Sequence, residues 1–338
     1  MGRLGLHKTS VLSDLSSGET KSVLSEREVS KDTLKEEKHI LADRNISGEP
    51  GILRKSSKLQ FKALGTIWNI DYNSKTNSYN KIILDAVKQF ESDYSRFISN
   101  SYISQLNSGI IVKNPKQELI QMLQFAKNSY VNTDGCFDIS VGGTLEQNGY
   151  GNYTNITTNN SLPYYNYVKA GKSSININNK KIHIDFGGFG KGWLIDKIAN
   201  IFGNNVPDYV INGGGDIYVK SKVKQKIYLE HPSAQDTYIG YTLINNKALA
   251  VSSNQKRTWQ YKNKTYSHIV DPNNKNITNL QSIVTAQSAN LADMLATTLL
   301  IANIATIKNL QKIYKFDYLI IKNKGTFTKS KDFNFNTL

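Results

Sequence analysis

One cysteine, Cys136, stands in 338 residues. An intramolecular disulfide is therefore excluded, and so is a metal cage built from several thiolates. Long apolar runs are also missing: no stretch is long and apolar enough to span a bilayer. The opening "MGRLGLHKTSVLSDLSSGE" has no apolar signal-peptide core, and no early Cys to carry a lipid. The chain as written is therefore expected in the cytoplasm, with no integral membrane segment. Acids are scarce beside bases, 27 Asp and Glu against 42 Lys and Arg, for a net charge of +15. Such an excess invites nucleic acid as a partner. The lysines, however, are scattered among asparagines and tyrosines, with neither a dense basic block nor an arginine-rich helix. This reads as a solvated basic surface, not a nucleic-acid footprint.

Aromatic residues are absent from positions 1–57, which are rich in Ser, Lys and Glu. Such a segment cannot bury enough apolar area to offset the entropy of ordering it. The expectation is a disordered extension over 1–57 and one globular domain over 58–338. Hydrophobic residues make up 39% of the chain, and from Leu59 onward they fall into periodic runs. "LQFKALGTIWNIDY" alternates apolar and polar and reads as a strand with a Gly-Thr interruption. "YNKIILDAVKQFESDYSRF" and "KQELIQMLQFAKNSYVNTDG" have helical spacing. "ITTNNSLPYYNY" is loop and "SSININNKKIHIDF" strand material. "KGWLIDKIANIFGN" reads as a helix stopped by Gly203, and "DYVINGGGDIYVK" as strand, glycine turn, strand. "QKIYLEHP" and "YIGYTLINNKALAVSS" add strands, "SANLADMLATTLLIAN" is a largely buried helix, and "FDYLIIKNKGTFTKS" is a closing hairpin. Helices and strands mix without strict alternation. The fold class is α+β, with mixed, mainly antiparallel sheets and packed helices.

Five stretches carry chemistry-bearing residues. "IDFGGFGKGW" (184–193) leads an aspartate into four glycines and a lysine ahead of a helix. Glycines let phosphates approach backbone N–H groups, and a helix N-terminus favours anions. The spacing is neither a Walker sequence nor a clean dinucleotide fingerprint. The stretch reads equally as a phosphate site or as a tight strand-to-helix turn. "NGGGDIY" (212–218) is either a turn or a close approach of backbone to a ligand. In "TDGCFDISVGG" (133–143), Asp138 lies between apolar neighbours, either as a buried cap or as a ligand-binding acid. "SHIVDP" (267–272) contains His268, structural or the best general-base candidate by residue type. In "LADMLATTLL" (291–300), Asp293 and Thr297 are four apart and share a helix face. A buried carboxylate needs a partner or a cation. The pair is either an internal hydrogen bond or a pair of hard oxygen ligands suited to Mg²⁺, and metal is favoured because nothing else in the helix offsets the charge.

Taken in order, "LGTIW", "YSRFISNSYISQLNSG", "TDGCFDISVGG", "IDFGGFGKGWLID", "VINGGGDIY", "AVSSNQKR", "SHIVDP" and "VTAQSANLADMLATTLL" resemble the ApbE family, the FAD:protein FMN transferases. The resemblance runs from about Leu64 to about Ala302 and weakly to the end. It implies an ApbE-like, T-fold-like domain over 58–338. It implies transfer of FMN from FAD to a Thr or Ser of an acceptor flavoprotein, with AMP leaving and Mg²⁺ required. Carried onto this sequence, it implies that Asp185 and Lys191 face FAD, and that Leu64, Cys136, Phe137 and Asp138 line the flavin nucleotide. It further implies a backbone contact at Ile269, a catalytic role for His268, and metal ligands at Asp293, Thr297 and the Gly188 carbonyl. The same cradle and metal would also serve FAD hydrolysis to FMN and AMP, or FAD binding without turnover. The chain departs from the family in three places. Asn254 stands near a usual glycine, where a left-handed turn is expected. "HIVDPNNKN" lacks the usual Thr-Gly, and the export signals common in the family are missing. "DLSSGET" (14–20) shares the Asp, a hydroxyl, the Gly and the final Thr of the family's acceptor motif, which marks Thr20 as a candidate for self-flavinylation.

Overall fold

A computed structural model of the chain describes residues 20–23, 29–30, 56–74, 77–151, 164–234, 236–272 and 276–338. Its centre is a nine-stranded, wholly antiparallel sheet. In spatial order the strands are Thr20–Val23, Thr326–Lys329, Phe316–Lys322, Asn279–Ala286, Lys247–Ser253, Asp216–Lys220, Tyr209–Gly213, Thr66–Asn73 and Ser56–Ala63. The stretch expected as one interrupted strand is a hairpin. Leu64 and Gly65 turn it with φ of +48° and +70°, and Ala63 pairs with Thr66. Two consecutive positive φ values match the right-handed twist of paired strands, so the Gly that looked like an interruption is the turn itself. The Gly213–Gly215 cluster does the same between Tyr209–Gly213 and Asp216–Lys220, with φ of +73° at Gly214 and +104° at Gly215.

Alternation along the central strands builds two cores. Ala248, Ala250, Val284, Ala286, Tyr318 and Ile320 lie in the larger core, which contains the helices. Leu249, Ile283, Leu319 and Ile321 lie in the other, together with Leu229, Ile239 and Ile244 of a smaller sheet. That sheet joins Gln225–Glu230, Thr237–Ile244 and Asn336–Thr337, with Val29–Ser30 on Thr237 and Tyr238. Helices Ser78–Tyr94, Gly190–Phe202 and Ala289–Ile301 belong to the larger core. The last packs on Lys247–Ser253 and Asn279–Ala286, and against Gly190–Phe202. The small alanines facing it on the sheet admit a helix that is itself apolar on nearly every side. Gly203, with φ of +53°, ends Gly190–Phe202 as expected. Among the described residues no helix is long and apolar enough to cross a membrane.

The boundary drawn after residue 57 cuts the strand Ser56–Ala63. Within the extension, Thr20–Val23 and Val29–Ser30 are described as short strands. The disorder expected for its other residues, most of "DLSSGET", and most of "ITTNNSLPYYNY" lie outside the described residues. Asn254 is not among the residues with positive φ. Its Nδ2 instead donates to the Asn279 carbonyl at 2.8 Å, which ties the chain just past Lys247–Ser253 to the start of Asn279–Ala286.

Candidate active site

The glycine-rich stretch enters its helix at Gly190, one residue before the lysine. Two short approaches require glycine there. A Cβ on Gly192 would fall inside contact distance of the Ala289 carbonyl, and one on Gly188 would lie 2.9 Å from the Phe137 ring and 3.7 Å from the Thr297 methyl. The heads of the helices Gly190–Phe202 and Ala289–Ile301 are thereby pressed together. Asp196, in the first of them, locks the arrangement by accepting from Ala289 N at 2.8 Å and Asn290 N at 2.9 Å. The second helix has Ser288 at its N-cap position without a side-chain cap, so a residue 93 positions upstream supplies the cap. Burial pushes the Asp196 pKa up to about 6 against the pull of those two N–H groups.

This packing gathers the predicted polar residues. Asp293 accepts from Gly192 N at 3.0 Å, and Lys191 Nζ lies 3.3 Å from both of its oxygens. Lys191 also lies 2.6 Å from Asp216 Oδ2. Asp216 is the acid that follows the second glycine cluster, and its other oxygen accepts from Val251 N at 3.2 Å. Both carboxylate side chains are 2% exposed, and Lys191 is partly buried beside them, so neighbours set the state of all three. Burial first, then the charge on Asp216, raise the Asp293 pKa. The two carboxylates raise that of Lys191 against burial, so it stays an ammonium. Thr297 does not bond to Asp293. Its hydroxyl lies 3.2 Å from Ser252 Oγ, which resolves the alternative of an internal hydrogen bond against it.

The remaining predicted residues frame this cluster. Asp185 pairs with Arg96 Nε and accepts from Gly187 N. Arg96, 2% exposed, also bonds Glu146 at 3.2 Å and the Tyr150 carbonyl at 3.1 Å, and Glu146 reaches His183 at 2.9 Å. Phe137 is buried and Cys136 partly so. Asp138 is 6% exposed and accepts from Ser140 N at 2.7 Å. Burial outweighs that bond and lifts its pKa to about 6. Leu64 N donates to Glu91 at 2.8 Å, and Ile269 N to the Ser267 hydroxyl at 3.3 Å. Arg257 links the Leu64–Gly65 turn to His268, because its guanidinium bonds the Gly65 carbonyl at 3.3 Å and its own carbonyl lies 3.2 Å from His268 Nδ1. A carbonyl only accepts, so Nδ1 carries the proton and Nε2 keeps its lone pair. Burial, then the charges of Arg257 and Lys191, lower the His268 pKa to about 4.

Sequence reasoning missed Asp216, Arg96 and Glu146. Asp216 carried a signal, as the acid closing a glycine cluster. The ion pairs of the other two join residues 37 or more positions apart. Among the described residues no three His, Cys, Asp or Glu side chains group as a metal cage. A cation here would rest on the Asp293 carboxylate with hydroxyl and carbonyl oxygens. That hard-oxygen donor set suits Mg²⁺, and the excess of buried negative charge over the single ammonium leaves room for a cation's charge.

A FAD:protein FMN transferase of Vibrio cholerae serotype O1 is 22% identical over 264 residues, which cover 70% of this chain and 79% of that protein. Two further proteins of that name, from Chlamydia trachomatis and Chlamydia muridarum, are each 28% identical over 97 residues, so the chain spans 28% of the length of these relatives. Among solved structures, the ApbE protein of Thermotoga maritima matches with a TM-score of 0.72 at 24% identity, over 82% of this chain and 97% of that one. The flavin transferase ApbE of Vibrio cholerae matches with a TM-score of 0.68 at 19% identity, over 81% and 96%. At these identities the likeness speaks for the fold. The sequence model of the ApbE family matches residues 64–320, most of the chain and the whole of the cluster around Lys191: the chain belongs to the ApbE family.

Proposed function

We propose that the chain transfers FMN from FAD to a Thr or Ser hydroxyl of an acceptor flavoprotein and releases AMP. The observation that carries this reading is the meeting of Lys191 and Asp293 at the head of a glycine-led helix, in a chain of the ApbE family. Lys191 adds a positive point charge at the head of this helix, where phosphate oxygens would be held. Asp293, the Thr297 hydroxyl and the Gly188 carbonyl would hold Mg²⁺, which when bound stabilises charge on the pyrophosphate oxygens and the leaving phosphate. Phe137 and Asp138 would line the flavin nucleotide, with Asp185, steadied by Arg96, beside it.

In the reaction the acceptor's hydroxyl oxygen attacks the phosphorus of the FMN half. The bond from that phosphorus to the oxygen shared with AMP breaks, and AMP leaves with the electron pair. The hydroxyl proton goes to Nε2 of His268, which burial keeps unprotonated at physiological pH and therefore able to accept it. Exclusion of water from the same position separates transfer from hydrolysis. Asp293→Ala should lower Mg²⁺-dependent AMP release from FAD by at least about a hundredfold, the upper range for loss of a supporting group around a metal. Unchanged release at saturating Mg²⁺ would make Asp293 a structural residue and remove the reading's main support.

A further inference from the structure

Lys191 is bound to two carboxylates, and only one of them belongs to the cation site proposed above. Its ammonium lies against both oxygens of Asp293, on the ligand a metal would use. The contact with Asp216 is shorter, 2.6 Å against 3.3 Å. Asp216 is also firmly placed: it begins a strand, accepts from Val251 N, and follows Gly214, where a Cβ would overlap Thr66. An ammonium leaving Asp293 therefore has a fixed second partner in reach. Without that partner it would remain on Asp293, the other buried carboxylate in contact with it among the described residues.

We infer that Asp216 is a positioning residue for the cation site, holding Lys191 so that a divalent cation can take Asp293. The inference rests on the reading of Asp293 as a metal ligand. Charge counting gives it a sign. Asp216, Lys191 and Asp293 sum to −1. Asp216→Asn makes the sum zero and leaves the ammonium to Asp293 alone. Lys191→Met makes it −2 and frees Asp293. The double variant returns to −1 with Asp293 unopposed. A direct ligand would behave differently, because its loss would weaken binding whether or not Lys191 is present.

The test is Mn²⁺ affinity of the full chain, measured by calorimetry and electron paramagnetic resonance without FAD, so that turnover plays no part. Asp216→Asn should weaken binding by roughly tenfold and Lys191→Met should tighten it by roughly tenfold, the scale on which one adjacent buried charge shifts an ionisation equilibrium. The double variant should bind within about threefold of Lys191→Met, because with the ammonium gone Asp216 has nothing left to hold, a departure from additivity of the kind expected for residues in direct contact. Unchanged affinity in Asp216→Asn, or a double variant no tighter than wild type, would overturn the inference and leave the metal reading standing. Should Asp216→Asn fail to fold, Lys191→Met alone decides: tighter binding supports the inference, equal or weaker binding overturns it. No Mn²⁺ binding by the wild type would overturn the metal reading, and the inference with it.

Discussion

At the scale of single residues, burial sets the charge of the acids and the base before any ligand arrives. His268 is held near pKa 4, so imidazole is neutral throughout the physiological range. The kcat/KM for FMN transfer, which reports the free enzyme, should show no imidazole-linked decline between pH 8 and 5. His268→Asn should keep FAD affinity within a few fold and lower transfer by about 10²–10⁴, the usual worth of a general base. A His-dependent midpoint near 6.5 would mean that the ring is solvated, and near-normal transfer by the variant would make it structural. Asp138 shows the reverse sign. Its folded pKa, about 6, lies above the ordinary 3.8, so the fold favours the protonated acid, and that contribution is lost as pH rises through 6. Asp138→Asn should therefore stabilise the protein by about 1–2 kcal/mol at pH 7.5, with the gain vanishing near pH 4. Denaturant midpoints at the two pH values would show it. A loss of stability at pH 7.5 would mean that the ionised form has a partner in the fold. Asp138 was conspicuous in the sequence as an acid between apolar neighbours. Arg96 was not, because a buried arginine is recognisable only when Asp185 and Glu146, far away in the chain, are brought to it.

At the scale of elements, the site is the junction of two helix heads, and that junction was half legible. "LADMLATTLL" announced a buried helix with one acid, and "GFGKGW" a helix entered through glycines. That the two meet, with Asp196 of one capping the other, is a tertiary fact without local pattern. The same division holds elsewhere. Gly203 as a stop and the Gly213–Gly215 turn follow from backbone sterics, which are local. The Leu64–Gly65 hairpin reads in the sequence as one interrupted strand because alternation resumes on the far side of the Gly-Thr pair, and the helix Ile304–Ile313 is hidden behind the apolar run before it. The junction itself can be tested through Gly192, whose added Cβ would meet the Ala289 carbonyl. Gly192→Ala should cost about 2–3 kcal/mol or more by overpacking, and should weaken metal binding, since Gly192 N also bonds Asp293. Thermal unfolding within a degree of wild type would show that the helices can separate without penalty.

At the scale of the whole molecule, the antiparallel sheet has side chains buried on both faces, one against the helices and the other against the small sheet. A scaffold packed on both sides has little freedom to shift, which suits a site whose parts come from distant segments: Leu64 and Arg96 early, Asp185 to Asp216 in the middle, His268 to Thr297 late. The net charge of +15 favours the approach of anions. The central claim is that FMN moves from FAD to a protein hydroxyl. Its most direct test is intact-mass spectrometry of a purified flavoprotein subunit bearing a Thr or Ser attachment sequence, incubated with this protein, FAD and Mg²⁺, with AMP measured in parallel. The account predicts that the subunit gains the mass of one FMN, and that AMP appears in equal amount. Free FMN and AMP beside an unmodified subunit would contradict it, and would make the protein an FAD hydrolase.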